Sequence, residues 1–301
     1  MIKKKDKDNI CVGLCVWNGE QTIKETLKSL INQNYLHQII IIVLDNQSND
    51  QTVNIIKKLK KKNKNRNINI KIIIDKKKRN VVAAQNFLVK KYFSKFDFCM
   101  LAMDDDIYHK NFINSTIRKL KNKNLDLVYT KYMMINSLKK KIKTNNKPLY
   151  SSDKKKIFNL CNYIIYRNIN PIFFGVYRTK SFLKMLKFYN HFDKSKSNHD
   201  NLFIFNFLLN KKIGVIKKNY FYFLSKNRNE IERKRKTGPS YWKKSSIFKI
   251  FIYQFNFSLK IINSIFLSHN LTIFEKILLF LLTIISYFQK TLSYVTKRLL
   301  N

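Results

Sequence analysis

The chain predicts an α/β fold, a mostly parallel central sheet with helices on both faces, followed by C-terminal amphipathic helices. Three observations carry this. Apolar runs of strand length alternate with helically spaced stretches as far as Met103. The runs are continuous rather than alternating, as strands covered on both faces require. Beyond about Ser225 the alternation stops and two long apolar-basic stretches follow.

The elements come in order. "NICVGLCVW" is the first strand. Lys3 to Lys5 ahead of it give the look of a signal peptide, but the run is short and leads into "NGEQ" with no small-residue cleavage site. "GEQTIKETLKSLINQ" carries an apolar stripe at Ile23, Leu27, Leu30 and Ile31, hence a helix. "HQIIIIVLD" is the second strand and "SNDQTVNIIKKLKKK" the second helix, with Ser48 or Asp50 as N-cap. "INIKIIID", "NVVAAQNFLVKKYF" and "FDFCMLAM" continue as strand, helix, strand. In such sheets ligands bind at the carboxyl ends of strands, which directs attention to Asn18, Asp45 and the run Asp104, Asp105, Asp106.

The 301 residues are 45% hydrophobic and 14% aromatic, enough for a real core, and the formal net charge is +42. Two readings of that charge stand side by side: attraction to a polyanion or an anionic membrane, and the Lys-, Asn- and Ile-rich coding of an adenine- and thymine-rich genome. Lys far outnumbers Arg, which argues against a nucleic-acid partner, since base readers lean on bidentate Arg. Cys11, Cys15, Cys99 and Cys161 form no CxxC pair and read as small apolar residues in a reducing compartment.

The run "LAMDDDIYHKNF" is the sharpest chemical feature. Adjacent carboxylates repel, and Mg or Mn takes one or two such groups plus substrate phosphates; a solvated turn is the plainer alternative. Asp45 in "IIIIVLDNQSNDQT" is either an Asx-turn residue or an acceptor for the ring N–H of a base. Asp200 in "KSNHDNLFIFNFLLNKKIGVI" is either a helix cap or an acid/base group, with His199 beside it as the other candidate.

Five segments in sequence order sharpen these readings. "ICVGLCVWNGEQTIKETLKSLINQNY" with "IIIIVLDNQSNDQT" resembles the opening "PxYNxE…L…SLxxQxY…DxxSxDxT" of family 2 glycosyltransferases. "RNVVAAQN" is similar to that family's "AAxN" helix, and "LAMDDDIYHKNF" to its aspartate-x-aspartate segment. "NPIFFGVYRTKSF" resembles its "YGLFR" strand and turn, and "HDNLFIFNFLLNKKIGVIKKNYFYF" its base-bearing helix and following strand. The resemblance covers about residues 8 to 224 and implies a GT-A fold that moves a sugar, with inversion, from a nucleotide-diphosphate donor to a hydroxyl of a glycan or lipid-linked acceptor. It implies that Asp45 contacts the base and that Asn18, Glu20, Asp104 and Arg178 join it around the donor. Asp104 and Asp106 would bracket the Mn or Mg ion, and Asp200 would take the acceptor proton. Arg178 or Arg228 would neutralise phosphate, with bracing of the acceptor site as the other use of Arg178.

Departures from the pattern remove no chemical group: Cys15 replaces Pro, Gln47 and Val81 stand where Gly is common, and Lys110 replaces a Pro. Aligning Lys110 on that Pro would shift the metal pair to Asp105 and Asp106; the one-residue gap favours Asp104 and Asp106. A nucleotidyltransferase is the enzyme alternative, disfavoured because "CVWNGEQT" lacks a Gly-rich basic phosphate loop. A non-catalytic membrane- or polyanion-binding protein on a transferase scaffold is the other. Residues 225–301 are expected as a basic loop and two amphipathic helices. The apolar segment Ile277 to Phe288, flanked by Lys276 and Lys290, falls short of the ~20 residues of a spanning helix. The tail therefore either lies on an anionic membrane or packs on the catalytic domain. The expected location is cytoplasmic, peripheral on the inner face of the membrane.

Overall fold

The computed structural model describes residues 8–135, 141–144, 149–166, 170–190, 199–224 and 247–299. The predicted basic loop, Arg228 included, lies outside the described residues. The first half folds as strand and helix in turn: β1 (Ile10–Val16), α1 (Ile23–Ile31), β2 (Ile39–Asp45), α2 (Thr52–Lys62), β3 (Ile68–Ile74), α3 (Val81–Tyr92) and β4 (Phe98–Met103). β1 pairs in parallel with β2 and β4, and β2 with β3. The run that mimics a signal peptide is therefore an inner strand, buried at every position from Ile10 to Val16.

The second half contributes β5 (Asp106–Tyr108), α4 (Phe112–Asn122), β6 (Leu127–Ile135), β7 (Lys141–Thr144), α5 (Lys156–Tyr166), α6 (Asn170–Phe173), β8 (Val176–Arg178), α7 (Thr179–Asn190), α8 (His199–Asn210) and β9 (Ile213–Leu224). The strands order as β3-β2-β1-β4-β8-β6-β9-β5, with β7 beside β6. β8 runs antiparallel between β4 and β6, while β6 and β9 are parallel. After β4 the chain turns at Asp104 and Asp105 and enters β5, which pairs antiparallel with β9 at Asp106↔Phe223. The aspartate run is thus the corner where the chain leaves the parallel half of the sheet.

Among α1 to α4 only α3 has an N-cap side-chain hydrogen bond. Asn80 caps α3 by accepting from Ala83 N at 2.8 Å. Of the two caps expected for α2, Asp50 accepts from Thr52 N at 3.0 Å, but Ser48 accepts from Asn18 N at 2.8 Å instead, bridging to the loop after β1. Two tail helices, α9 (Ile247–Phe266) and α10 (Ile273–Leu299), complete the chain. Thr272 and Glu275 form a reciprocal capping box at the start of α10, each accepting from the other's backbone N–H (2.9 and 3.3 Å). α9 docks on α8 and α10 on α5: Asn206 donates to Ser264 Oγ at 3.1 Å, and Ser286 Oγ and Lys290 Nζ both donate to Ile164 O.

Gly175 shows why the segment before β8 carries glycine. A Cβ there would lie 2.6 Å from Leu127 Cδ1 and 2.8 Å from the backbone oxygen of Val128, in a strand that cannot move without breaking the sheet. Gly175→Ala is expected to lower stability by about 1–3 kcal/mol, read as a shifted midpoint at unchanged slope in urea unfolding.

Candidate active site

β1 ends between the ends of β2 and β4, and acids stand on both flanks. Asp45 closes β2 in register with Val16, and Asp104 follows Met103, which closes β4 opposite Cys15. Two strand spacings separate them, about 10 Å. Asp45 is buried; its Oδ2 accepts from Ser48 N at 3.1 Å, and its Oδ1 is enclosed with no hydrogen-bond partner. An enclosed acceptor at a strand end suits an incoming N–H donor.

The loops after β1 and β2 are stitched to each other. Asn18 accepts from Asn49 N (3.0 Å), Gly19 N donates to Thr52 Oγ1 (2.8 Å), Glu20 N donates to Asp50 Oδ2 (3.2 Å), and Glu20 Oε2 accepts from Gln51 N (3.1 Å). Asn18 and Gln47 both hold left-handed backbone, with φ of 47° and 63°. That explains why Gly is common in the family at the position of Gln47: a non-glycine residue there costs about 1–2 kcal/mol. On the far flank Asn46 clamps Arg79, accepting from its N–H (2.8 Å) and donating to its carbonyl (2.7 Å). The Arg79 guanidinium pairs with buried Asp75 at 2.6 Å and lies over the Phe87 ring, while Lys78 covers Trp17. The inspection of strand ends passed over Thr22, Asn46, Thr52 and Arg79. Only the Ser/Thr/Asp pattern of "SNDQT" hinted at this stitching.

Asp104 and Asp106 are both buried and Asp105 is half-buried. Thr22 Oγ1 donates to Asp104 Oδ2 at 3.3 Å, and Thr26 Oγ1 donates to the Asp104 carbonyl at 2.9 Å. Asp106 is fully enclosed and neither carboxylate oxygen has a hydrogen-bond partner. Burial pushes its carboxyl well above the usual carboxylate range, the charges of Asp105 and Asp104 push the same way, and the nearby Met103 amide opposes them without reaching ordinary hydrogen-bond geometry. Among the described residues no group of three or more His, Cys, Asp or Glu side chains is arranged to hold a metal. Mg and Mn ask for less, one or two carboxylates plus substrate phosphates, and a buried carboxylate with unfilled acceptors beside a second acid fits that demand.

Asp200 is the second residue of α8 and half-buried. Its Oδ1 accepts from the backbone and side chain of adjacent Asn201 (2.9 and 3.4 Å), so it does not cap the helix from outside. Asn201 is fixed in turn by Tyr163, whose hydroxyl bonds its carbonyl at 2.8 Å.

Arg178 is a correction. Because β8 is antiparallel to β4, Arg178 pairs with Phe98, at the opposite end of β4 from Asp104. Its guanidinium donates to Leu125 O (2.8 Å) and Leu120 O (3.2 Å), bracing the end of α4. It is a structural residue and does not reach the donor edge. Cys11, Cys15 and Cys99 are buried and Cys161 is half-buried, and burial pushes the Cys11 thiol up to about 12.

A half-Rossmann sheet with enclosed acids at its carboxyl edge, joined to a second half that brings an acid on a helix start, defines the GT-A class of sugar-transferring enzymes. The model of glycosyl transferase family 2 matches residues 11–190, and the chain belongs to that family. It is a glycosyltransferase, which sets aside the nucleotidyltransferase and non-catalytic readings. It is similar to the poly(ribitol-phosphate) beta-N-acetylglucosaminyltransferase TarP of Staphylococcus aureus (strain N315), 24% identical over 246 residues, spanning 77% of this chain and 68% of TarP. The fold is shared with crystal structures of residues 1–349 of S. aureus TarS. The complex with UDP-GlcNAc superposes with a TM-score of 0.69 at 19% identity, covering 93% of this chain and 73% of that one. A second crystal structure of the same residues gives a TM-score of 0.64 at 18% identity, covering 93% of this chain and 72% of that one.

Gly19 links the two acids through the loop after β1. A Cβ there would sit 2.5 Å from Asp104 Oδ2 and 2.7 Å from Val16 Cγ2. Gly19→Ala is expected to displace the Asp104 carboxylate and lower the transfer rate at least tenfold, with the far-ultraviolet dichroism of the wild type retained. An unchanged rate would show that the position of Asp104 does not matter.

Proposed function

We propose that the chain is an inverting glycosyltransferase that moves a sugar from a nucleotide-diphosphate donor to a hydroxyl of a glycan or lipid-linked acceptor, in the making of a cell-surface polysaccharide. The observation that carries this reading is a pair of enclosed acids with unfilled acceptor atoms, Asp45 at the end of β2 and Asp106 at the start of β5, two residues beyond Asp104. Asp45 Oδ1 accepts from the ring N–H of the base. Asp104 and Asp106 would hold a Mg or Mn ion, which would supply positive charge against the charge growing on the departing diphosphate. Asp200 takes the proton of the acceptor hydroxyl as that oxygen attacks the anomeric carbon from the face opposite the diphosphate, and a single displacement inverts that carbon. UDP-GlcNAc is the first donor to test, since a similar structure contains it. The reading has the enzyme at work on the cytoplasmic side, peripheral on the inner face of the membrane. The predicted domain of residues 8–224 carries the chemistry and residues 225–301 the attachment.

Incubation with a panel of nucleotide sugars and Mn, followed by assay of nucleotide diphosphate release, tests the reaction directly; no release with any donor would defeat it. Asp200→Asn is expected to lower the turnover rate about 10²-fold or more with donor affinity near normal, and His199→Gln to cost less. A dead His199→Gln beside an active Asp200→Asn would reverse the assignment.

The ion has its own readout. Mn with UDP is expected to raise the Tm of the wild type through preferential binding to the folded state, and to leave that of Asp106→Asn unmoved. In the absence of divalent ions Asp106→Asn is expected to melt no lower than the wild type, because a neutral amide replaces a buried carboxylate without a partner. Equal shifts in both proteins would remove Asp106 from the metal site.

A further inference from the structure

The tail helices are dressed differently from α2. On α2 the solvent face is Lys57, Lys58, Lys60, Lys61 and Lys62. On α9 and α10 none of the described side chains that is fully exposed carries a charge. Phe248, Phe251, Phe255 and Leu259 run along α9 at helical spacing, and Phe274, Leu281, Ile285 and Phe288 do so along α10; Phe248, Phe274 and Phe288 are 71%, 72% and 60% exposed. Some hydroxyls and amides turn inward, while Asn256, Asn263, Gln289, Ser293 and Thr296 are exposed beside the stripes. Gln254, Ser258 and Ser264 on α9, and Thr283, Ser286 and Thr291 on α10, are buried among the apolar residues that dock the pair. Lys-rich coding cannot produce this, because the same coding gives α2 its ordinary charged face.

The two stripes form one surface. Tyr287 of α10 stacks edge-on against Phe251 and Phe255 of α9 at 5.4 and 6.1 Å and against Phe288 at 5.1 Å, and Phe266 meets Phe280 at 5.9 Å. No described helix is long and apolar enough to cross a membrane. At 1.5 Å per residue the helices extend for about 30 and 40 Å along a surface.

We infer that this face lies in the headgroup–acyl boundary of an anionic lipid leaflet, with the aromatic and leucine stripes among the acyl chains. Charge chooses the occupant. Between Ile247 and Leu299 the sequence holds one acid, Glu275, in a chain whose net charge is +42. A second copy carrying the same charge is repelled; an anionic leaflet is attracted. Lys276 and Lys290 extend to backbone carbonyls, Phe266 O at 3.0 Å and Ile164 O at 2.6 Å, and stay off the stripe. The docking surface also bears on the proposed reaction. α9 is bonded to α8 at Asn206, about 9 Å along the axis from the proposed base Asp200, so lipid lies next to the helix that would receive the acceptor. That last link rests on the function proposed above and implies a membrane-tethered acceptor; the docking itself does not depend on it.

The test is co-sedimentation of the full chain with vesicles of phosphatidylcholine alone and with added phosphatidylglycerol, before and after Phe248→Ser, Phe274→Ser and Phe288→Ser are combined. The wild type is expected to bind the anionic vesicles, to be only partly released by high salt, and to bind neutral vesicles at least tenfold more weakly. The triple variant is expected to bind anionic vesicles at least tenfold more weakly while keeping the wild-type Tm and the wild-type rate on a water-soluble acceptor. Undiminished binding of the variant, complete release by salt, or equal binding to neutral vesicles each overturns the proposal. So does a wild-type dimer in analytical ultracentrifugation that the variant loses, which would assign the face to a second copy. Vesicle binding without sugar transfer from any donor would leave the docking standing and defeat the proposed function instead.

Discussion

The candidate site centres on an acid that the fold encloses without giving either of its carboxyl oxygens a hydrogen bond. Removing a carboxylate from water with no partner opposes folding by several kcal/mol, and Asp106 has neither a hydrogen bond nor room for solvent. The run cannot relax by rotating outward, because Asp106 is already the first residue of β5 and its backbone is paired to Phe223. The corner between β4 and β5 therefore fixes the acid, and the surrounding structure bears the cost. Tyr108, two residues on, ends in a buried hydroxyl that also has no partner, with its phenol pushed up by burial and by Asp106. On the proposed function, a bound ion would offset that cost by taking up the unfilled acceptors.

The loops around it are built to hold that geometry. Reciprocal bonds between residues 18–20 and 48–52 tie the end of β1 to the start of α2, and the Asn46 clamp on Arg79 ties the end of β2 to the segment before α3. Asn18 and Gln47 accept left-handed backbone in places where glycine would be cheaper. Their side chains repay part of this locally: Asn18 Oδ1 bonds Asn49 N, and Gln47 Nε2 bonds Lys76 O at 3.0 Å. A glycine there would relax the backbone and lose those ties.

Local and parallel features were legible in the sequence. Each of β1 to β4 and α1 to α3 lies within the segment its apolar pattern marked, because burial on both faces leaves a continuous run and a two-faced helix leaves a stripe. Asp45 and the aspartate run fall on one edge for the same reason: in a parallel sheet every strand delivers its last residue to the same side. Arg178 was not legible. β8 has three residues, too few for any period, and its direction follows from pairing with strands far away in sequence. Reversing a strand moves its last residue to the other edge, and that converts a supposed phosphate ligand into a brace for α4. Ser48 escaped for a related reason, since a hydroxyl able to cap its own helix was taken by a loop thirty residues away.

The tail shows what a hydrophobic pattern leaves open. Periodicity announces an amphipathic helix but not which face turns inward, and packing on the domain and contact with lipid had stood as rival readings. The structure shows the packing, α9 on α8 and α10 on α5; lipid contact is what is proposed for the outer face. The inward faces use Ser and Thr for short bonds such as Thr283 to Leu279 O at 2.7 Å, while Phe257, Ile261 and Leu279 join the main core. The larger rings and leucines remain outside. Water gains nothing from such a surface, and an exposed apolar patch built from two helices is uncommon on a chain that works alone in solvent. The docked face gives the tail a fixed position on α5 and α8, so whatever holds the outer face also fixes the orientation of the catalytic half. A membrane-bound tail on a flexible tether would only raise the local concentration of acceptor. On the proposed function, a tail bonded to α8, whose second residue is Asp200, would restrict the direction from which an acceptor can approach as well.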